Sequence, residues 1–232
     1  MKKLEIPYCK QIKTDYCGPC ALSMILNKFG SSLTQEQIAD TILKQQHGST
    51  KKNAYAHDMV GYLAENGFGS LYIANLDDEK AWKVIKTYIR KGYPVLALQQ
   101  YSKQTSRSHF RVIIGHEYIE GKQEHWISFH DPVDGPNQRL SKKEFFELWK
   151  PKIGSDQKNE NVLLVVKEKP FSIPEDKCNF CQSDKLEKKP WSYSTPTDYS
   201  YINKNTNFKI QCLGIKCTNC NVLCTTPIFG LN

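Results

Sequence analysis

The apolar pattern of this 232-residue chain changes period near residue 93. Before that point it repeats as a helix does. Leu22, Ile25, Leu26 and Phe29 fall at i, i+3, i+4 and i+7, and Gly30 follows as a stop. Thr34 is placed to cap a second helix, with Gln37 at the reciprocal capping-box position and Ile38 and Ile42 as its buried stripe. A third helix is expected over 54–65, ended by Asn66-Gly67. A fourth is expected over 78–90, burying Trp82, Ile85 and Ile89 and ending near Gly92. After residue 93 the signal is that of strands: "YPVLALQQ", then "HFRVIIGHEYI" and "HWISFHD" joined by "EGKQ". Ser141 caps a short helix, "KKEFFELW", and "NVLLVV" at 161–166 reads as a buried strand. Helices first and an antiparallel sheet second is an α+β arrangement.

The stretch "KEKPFSIPEDK" carries two prolines and several charges, so residues 168–177 read as a linker. It divides the chain into a first domain, 1–167, and a small module, 178–232. A 39% hydrophobic content fills a core without disulfides, and the net charge of +8 is that of an ordinary solvated surface. No segment reaches the roughly 18 apolar residues of a membrane span. The basic start "MKKLEIPYCKQ" has no apolar stretch behind it, so it is not a secretory signal. A cytoplasmic, reducing location is expected.

Nine cysteines fall in two groups, three within 9–20 and six within 178–224. In the second group, "CNFC" (178–181) and "CTNC" (217–220) are Cys-x2-Cys turns separated by 35 residues. Two such turns supply the four soft ligands of a structural zinc, so Cys178, Cys181, Cys217 and Cys220 are the expected ligands of a zinc ribbon. Cys212 lies on the alternating segment "NFKIQC" and reads as a core thiol; Cys224 is left open. A module this small needs such a staple. Trp191, Tyr193, Tyr199 and Tyr201, with Lys188 and Lys189, suit stacking on single-stranded nucleic acid or a small aromatic core. The core, with protein docking through the ribbon, is the preferred reading.

The first group includes "DYCGPC" at 15–20. Gly18-Pro19 precedes the first helical stripe, and proline is favoured in a first helical turn. Cys17 therefore sits at a helix N-terminus, where the dipole favours thiolate and unpaired N–H groups can hold an oxyanion. His109 begins one strand of the expected hairpin and Asp131 ends the other, each 11 residues from Glu120. Antiparallel pairing brings them to one end of the sheet, where a carboxylate can orient an imidazole. Gln11 offers a side-chain N–H as a second oxyanion donor. Each residue alone has an ordinary structural reading; together they form a nucleophile, base, orienter and donor.

Cys-Gly-Pro-Cys is also a dithiol motif of thioredoxin type. Only 16 residues precede Cys17, and the next proline after Pro19 is Pro94, so the strands and the cis-proline loop of that fold have no place. A thiol–disulfide oxidoreductase is the weaker reading. The spacing of Cys20 from Cys17 leaves open a regulatory disulfide between them.

The segment "YCKQIKTDYCGPCALSMILNKFG", with "SHFRVIIG", "HDPVDG" and "LSKKEFFELW", resembles the bacteriocin-processing cysteine peptidases, papain-like domains often fused to export ABC transporters. The likeness runs from about Ile6 to Val166. It implies a papain-like fold, Cys17 as nucleophile, His109 as base, Asp131 as orienting residue and Gln11 as oxyanion donor. It implies a peptide or protein substrate, in that family a leader ending in two glycines. Tyr16 departs from the pattern, standing as an insertion between Asp15 and Cys17. Phytochelatin synthases share the fold and transfer an acyl group to an amine. An acyl transferase or deamidase, or a peptide-binding adaptor, are the alternative uses of the same cleft.

Overall fold

The structure is a computed structural model that describes residues 3–45, 52–74, 76–105, 107–149, 162–169, 177–178, 181–192, 211–219 and 222–227. It opens with α1 (Cys17–Lys28) and α2 (Gln35–Ile42), then a small hairpin of β1 (Leu43–Gln45) and β2 (Lys52–Ala54), then α3 (Ala56–Glu65). Next come β3 (Gly69–Ala74) and α4 (Asp78–Arg90). The sheet half follows: β4 (Val95–Gln100), β5 (Ser108–Ile119), β6 (Glu124–Asp131), β7 (Gly135–Ser141), α5 (Lys142–Trp149) and β8 (Val162–Lys167). Three further strands are β9 (Leu186–Ser192), β10 (Gln211–Cys217) and β11 (Val222–Pro227). The expected mixture of helices and antiparallel sheet is what forms.

Local chemistry sets the helix ends. Thr34 Oγ1 accepts the Gln37 N–H at 3.3 Å, and Gln37 Oε1 accepts the Thr34 N–H at 2.9 Å, a complete capping box. Gly30, at φ +82°, reverses the chain after α1; Ser31 N–H then reaches back to the Leu26 carbonyl. Helix α1 is not amphipathic in the way its stripe suggests. Every residue from Gly18 to Leu26 is buried, because α1 packs against α2 as well as β5.

All nine strands of the main sheet are antiparallel, in the order β7-β6-β5-β4-β8-β3-β11-β10-β9. Several strands are absent from the sequence reading, β9 and β11 among them. Strand β3, "GSLYIA", has a Gly-Ser start that weakens its strand signal, and its partners β8 and β11 are far off in sequence. Strand β7, "GPNQRLS", is polar and carries a proline, which an edge strand tolerates. The β1–β2 hairpin is three residues on each side.

The cysteine-rich segment supplies β9, β10 and β11. Its strand β11 pairs with β3, Cys224 opposite Leu71, so its strands continue the main sheet. Most of the 168–177 stretch lies outside the described residues, as do Tyr193, Tyr199, Tyr201 and Cys220.

Candidate active site

Cys17 is the first residue of α1, half-buried, with Tyr16 as N-cap. Tyr16 is the residue that fits the sequence pattern least, and it is buried at 6% exposure. Its side chain makes no capping hydrogen bond, so Tyr16 itself leaves the first-turn N–H groups of α1 uncapped. Lys13 lies over its ring, 5.1 Å from the centroid, and the Tyr16 carbonyl accepts the Cys20 N–H at 2.8 Å. Gly18 is required by packing. A Cβ there would stand 2.4 Å from Met59 Cε and 2.8 Å from Ala54 Cβ.

His109 and Asp131 meet, though not by the pairing expected. The register runs Ile119↔Glu124 through Gly115↔Ser128, then shifts at a bulge between Ile113 and Gly115 to give Val112↔His130. Continued by one residue, it sets Asp131 opposite Arg111. His109 lies two residues further along the same face and reaches Asp131 diagonally. Its Nε2 bonds Asp131 Oδ1 at 2.8 Å, and both side chains are nearly sealed from solvent. The imidazole also stands near enough to the Cys17 thiol for each to shift the other's titration. Cys17 thus neighbours a His109–Asp131 hydrogen-bonded pair.

The electrostatics follow from these contacts. Burial pushes the Cys17 thiol up, but the His109 hydrogen bond and charge, a backbone bond at Phe110 and the nearby Arg107 bring it below its ordinary value. Burial lowers His109, yet its bonds to Asp131 and Cys17 leave it raised. Burial also opposes the Asp131 charge, but His109, Arg111 and the Val133 N–H hold the carboxyl at about 2. A lowered thiol beside a raised imidazole favours the thiolate–imidazolium pair.

Arg111 escaped the sequence reading. Its Nε donates to Asp131 Oδ2 at 2.8 Å, and its other nitrogens donate to the Gln100 and Tyr101 carbonyls at 3.0 and 2.8 Å. Asp131 Oδ1 also accepts the Val133 and Asp134 N–H groups at 2.8 and 3.1 Å. The alternation His109–Arg111 put the arginine on the histidine's face, and that was the available signal. Tyr101 closes the other side, its ring edge-on to His109 at 5.0 Å and its hydroxyl bonded to Asp134.

Gln11 is brought beside the site but is not aimed as expected. Its backbone N–H donates to the Pro132 carbonyl at 2.9 Å, next to Asp131. Its side-chain Nε2 donates to the Lys13 carbonyl at 2.9 Å. Gln35 of α2 holds this segment from both sides, through the Lys10 carbonyl and the Ile12 N–H. Cys20, considered above as a partner for Cys17, directs its sulfur to Cys9 instead, 3.1 Å away. Among the other histidines, His130 accepts the Asn137 N–H on Nδ1 and donates from Nε2 to the Ile6 carbonyl, while His116 and His125 pack against Trp82.

A second cluster sits where β9 begins and β10 ends. The sulfurs of Cys178, Cys181 and Cys217 all lie within 4.8 Å of one another, those of Cys181 and Cys217 at 3.6 Å. Zinc–sulfur bonds of about 2.3 Å in a tetrahedron hold sulfurs roughly 3.8 Å apart, so three thiolates in this arrangement fit a metal ion. The turn is built by the Cys178 N–H on the Ser183 carbonyl, and by Gln182 in the left-handed region at φ +61°.

A family model described as "Peptidase_C39 like family" matches residues 3–155. No curated protein matches the chain. A solved structure that matches is the crystal structure of a double glycine motif protease from an AMS/PCAT transporter in complex with the leader peptide. It is 16% identical with a TM-score of 0.48, over 73% of this chain and 95% of that one.

Proposed function

This chain belongs to the Peptidase_C39-like family, and from that premise we propose that it cleaves a peptide or protein substrate with Cys17 as nucleophile, His109 as general base and acid, and Asp131 as the orienting residue. Family membership makes it a cysteine peptidase. The observation that supports these roles is the buried His109–Asp131 hydrogen bond beside the thiol at the start of α1, with the imidazole near enough to lower that thiol.

The Cys17 thiolate attacks the scissile carbonyl carbon. The oxyanion that develops is met by the N–H groups at the start of α1, and by Gln11 once its Nε2 leaves the Lys13 carbonyl. His109 gives its proton to the leaving amine, and a thioester to Cys17 remains. His109 then takes a proton from water, the hydroxide attacks the thioester, and the thiolate is restored. Asp131 fixes the imidazole through Nε2, which leaves Nδ1 toward the sulfur. An amine in place of water would make the same thioester an acyl-transfer intermediate; adding an amine during turnover separates the two outcomes.

In the second cluster, zinc is the metal whose chemistry fits; Cys178, Cys181 and Cys217 would hold it, with Cys220 the fourth ligand that the paired Cys-x2-Cys turns supply. Bound there, it would tie the turn before β9 to the end of β10. The segment around it is assigned to docking of a protein partner. Thiols kept reduced suit a cytoplasmic location.

The test is Cys17→Ala against a peptide library digested from a cell proteome. The variant is expected to melt as the native protein does and to leave the library uncut. An alanine variant that still cleaves overturns the assignment. Iodoacetamide labelling of Cys17 that is no faster than in His109→Ala would turn the reading toward a peptide-binding adaptor.

A further inference from the structure

Cys9 and Cys20 are thiols that the peptidase chemistry does not use, and they face each other. Their sulfurs are 3.1 Å apart; Cys20 Sγ bonds the Cys9 carbonyl at 3.2 Å and Cys9 Sγ bonds the Cys20 carbonyl at 3.6 Å. The two ends differ. Cys20 is fully buried in the first turns of α1, while Cys9 is half-buried on the N-terminal segment and open to a small reagent. Between them run Gln11 and the loop that enters Cys17. That segment is held by hydrogen bonds from Gln35, to the Pro132 carbonyl and from Arg107 to the Thr14 carbonyl, with Tyr16 buried at its end.

We propose that Cys9 and Cys20 form a reversible disulfide, made by exchange with a small-molecule disulfide, that locks the Gln11-bearing segment onto helix α1. Cys9 thiolate attacks one sulfur of RS–SR, forming Cys9–S–SR and releasing RS⁻. Cys20, giving up its proton to solvent, attacks the Cys9 sulfur and releases the second RS⁻. Two protein thiols are oxidised by two electrons, and one small disulfide is reduced to two thiols. The hydrogen bond from Cys20 lowers the Cys9 thiol and raises that of Cys20, which fits Cys9 as the attacking group and Cys20 as the resolving one. Cys17 faces His109 rather than either sulfur and takes no part in the bridge. That the lock bears on an oxyanion donor rests on the peptidase reading; formation of the bridge does not.

The full-length protein is treated with oxidised glutathione, alkylated with iodoacetamide and digested with trypsin. Cleavage after Lys3, Lys10, Lys13 and Lys28 yields residues 4–10 and 14–28, joined by the bridge. Fragment ions are expected to place the link on Cys20 and to leave Cys17, alkylated or carrying glutathione, outside it. The melting temperature is expected to rise by about 5 °C, as for a short loop closed by a disulfide. Dithiothreitol reverses the rise, and Cys9→Ser lacks it. A link through Cys17, a glutathione adduct that persists on Cys9, or unlinked peptides would each overturn the proposal. No step of this test requires substrate turnover, so it stands or falls apart from the peptidase assignment.

Discussion

The pH behaviour of this protein is set at Cys17 and His109. Cys17 lies below its ordinary 9.0 and His109 above its ordinary 6.5. Both shifts widen the pH range of the thiolate–imidazolium pair, which is lost on the acid side as the thiolate is protonated and on the alkaline side as the imidazolium deprotonates. Iodoacetamide reactivity, which needs only thiolate, is expected to rise below the pH of a common thiol, and His109→Ala should move that rise up to it. Asp131 acts on stability instead. Its carboxyl at about 2 lies below the 3.8 of an ordinary aspartate, so its contribution is full above pH 3.8 and is lost as pH falls toward 2. Arg111 carries the largest single-residue prediction. Replacing it by Leu leaves the second oxygen of a buried carboxylate and two carbonyls without their partner, and should cost about 3–5 kcal/mol in urea unfolding. A loss under 1 kcal/mol would mean that water takes the place of the guanidinium.

At the scale of elements, the sequence was readable where signals are local. The ends of α1, α2 and α4 follow from Gly30, the Thr34–Gln37 box and the Trp82, Ile85, Ile89 stripe, all within a few residues of the element they set. The His109–Asp131 contact was also legible, since a hairpin brings its two ends together. Its diagonal geometry was not, because the bulge at Ile113–Gly115 is a property of two strands packed on their neighbours. Arg111 was missed for the same reason, as a charged residue in an apolar strand says nothing of what it will face. Strand β3 was missed because strands 90 residues and more away define it. The approach of α3 and β2 to Gly18 was likewise invisible. Gly18→Ala should destabilise by about 1–3 kcal/mol through crowding against Met59 and Ala54, read as a lower melting temperature, and should slow Cys17 alkylation by displacing the start of α1.

At the scale of the molecule, the cysteine cluster and the main sheet are one connected body through β11 and β3. Removal of the proposed metal should therefore be felt beyond Cys178, Cys181 and Cys217. Treatment with a strong chelator is expected to lower the melting temperature and to raise hydrogen exchange in β9 and β10 first, then in β11 and β3, while β5 and β6 around His109 keep their protection. Unchanged exchange in β10 after zinc analysis shows the metal gone would contradict this.

The place of β8 has a consequence for how the protein is made. This strand, 162–167, comes after the helices and after β4 to β7, yet it lies between β4 and β3. Until it arrives, β3 has no neighbour on that side, and neither does the outer face of β4. A growing chain can assemble β4 to β7 with α5 as a local meander, but it cannot join β3 to that meander's sheet. The ribosome must first have released residues well past 167, and the last strand of this half acts as the keystone of synthesis. A chain stopped short of it would carry two open sheet edges into a crowded cell.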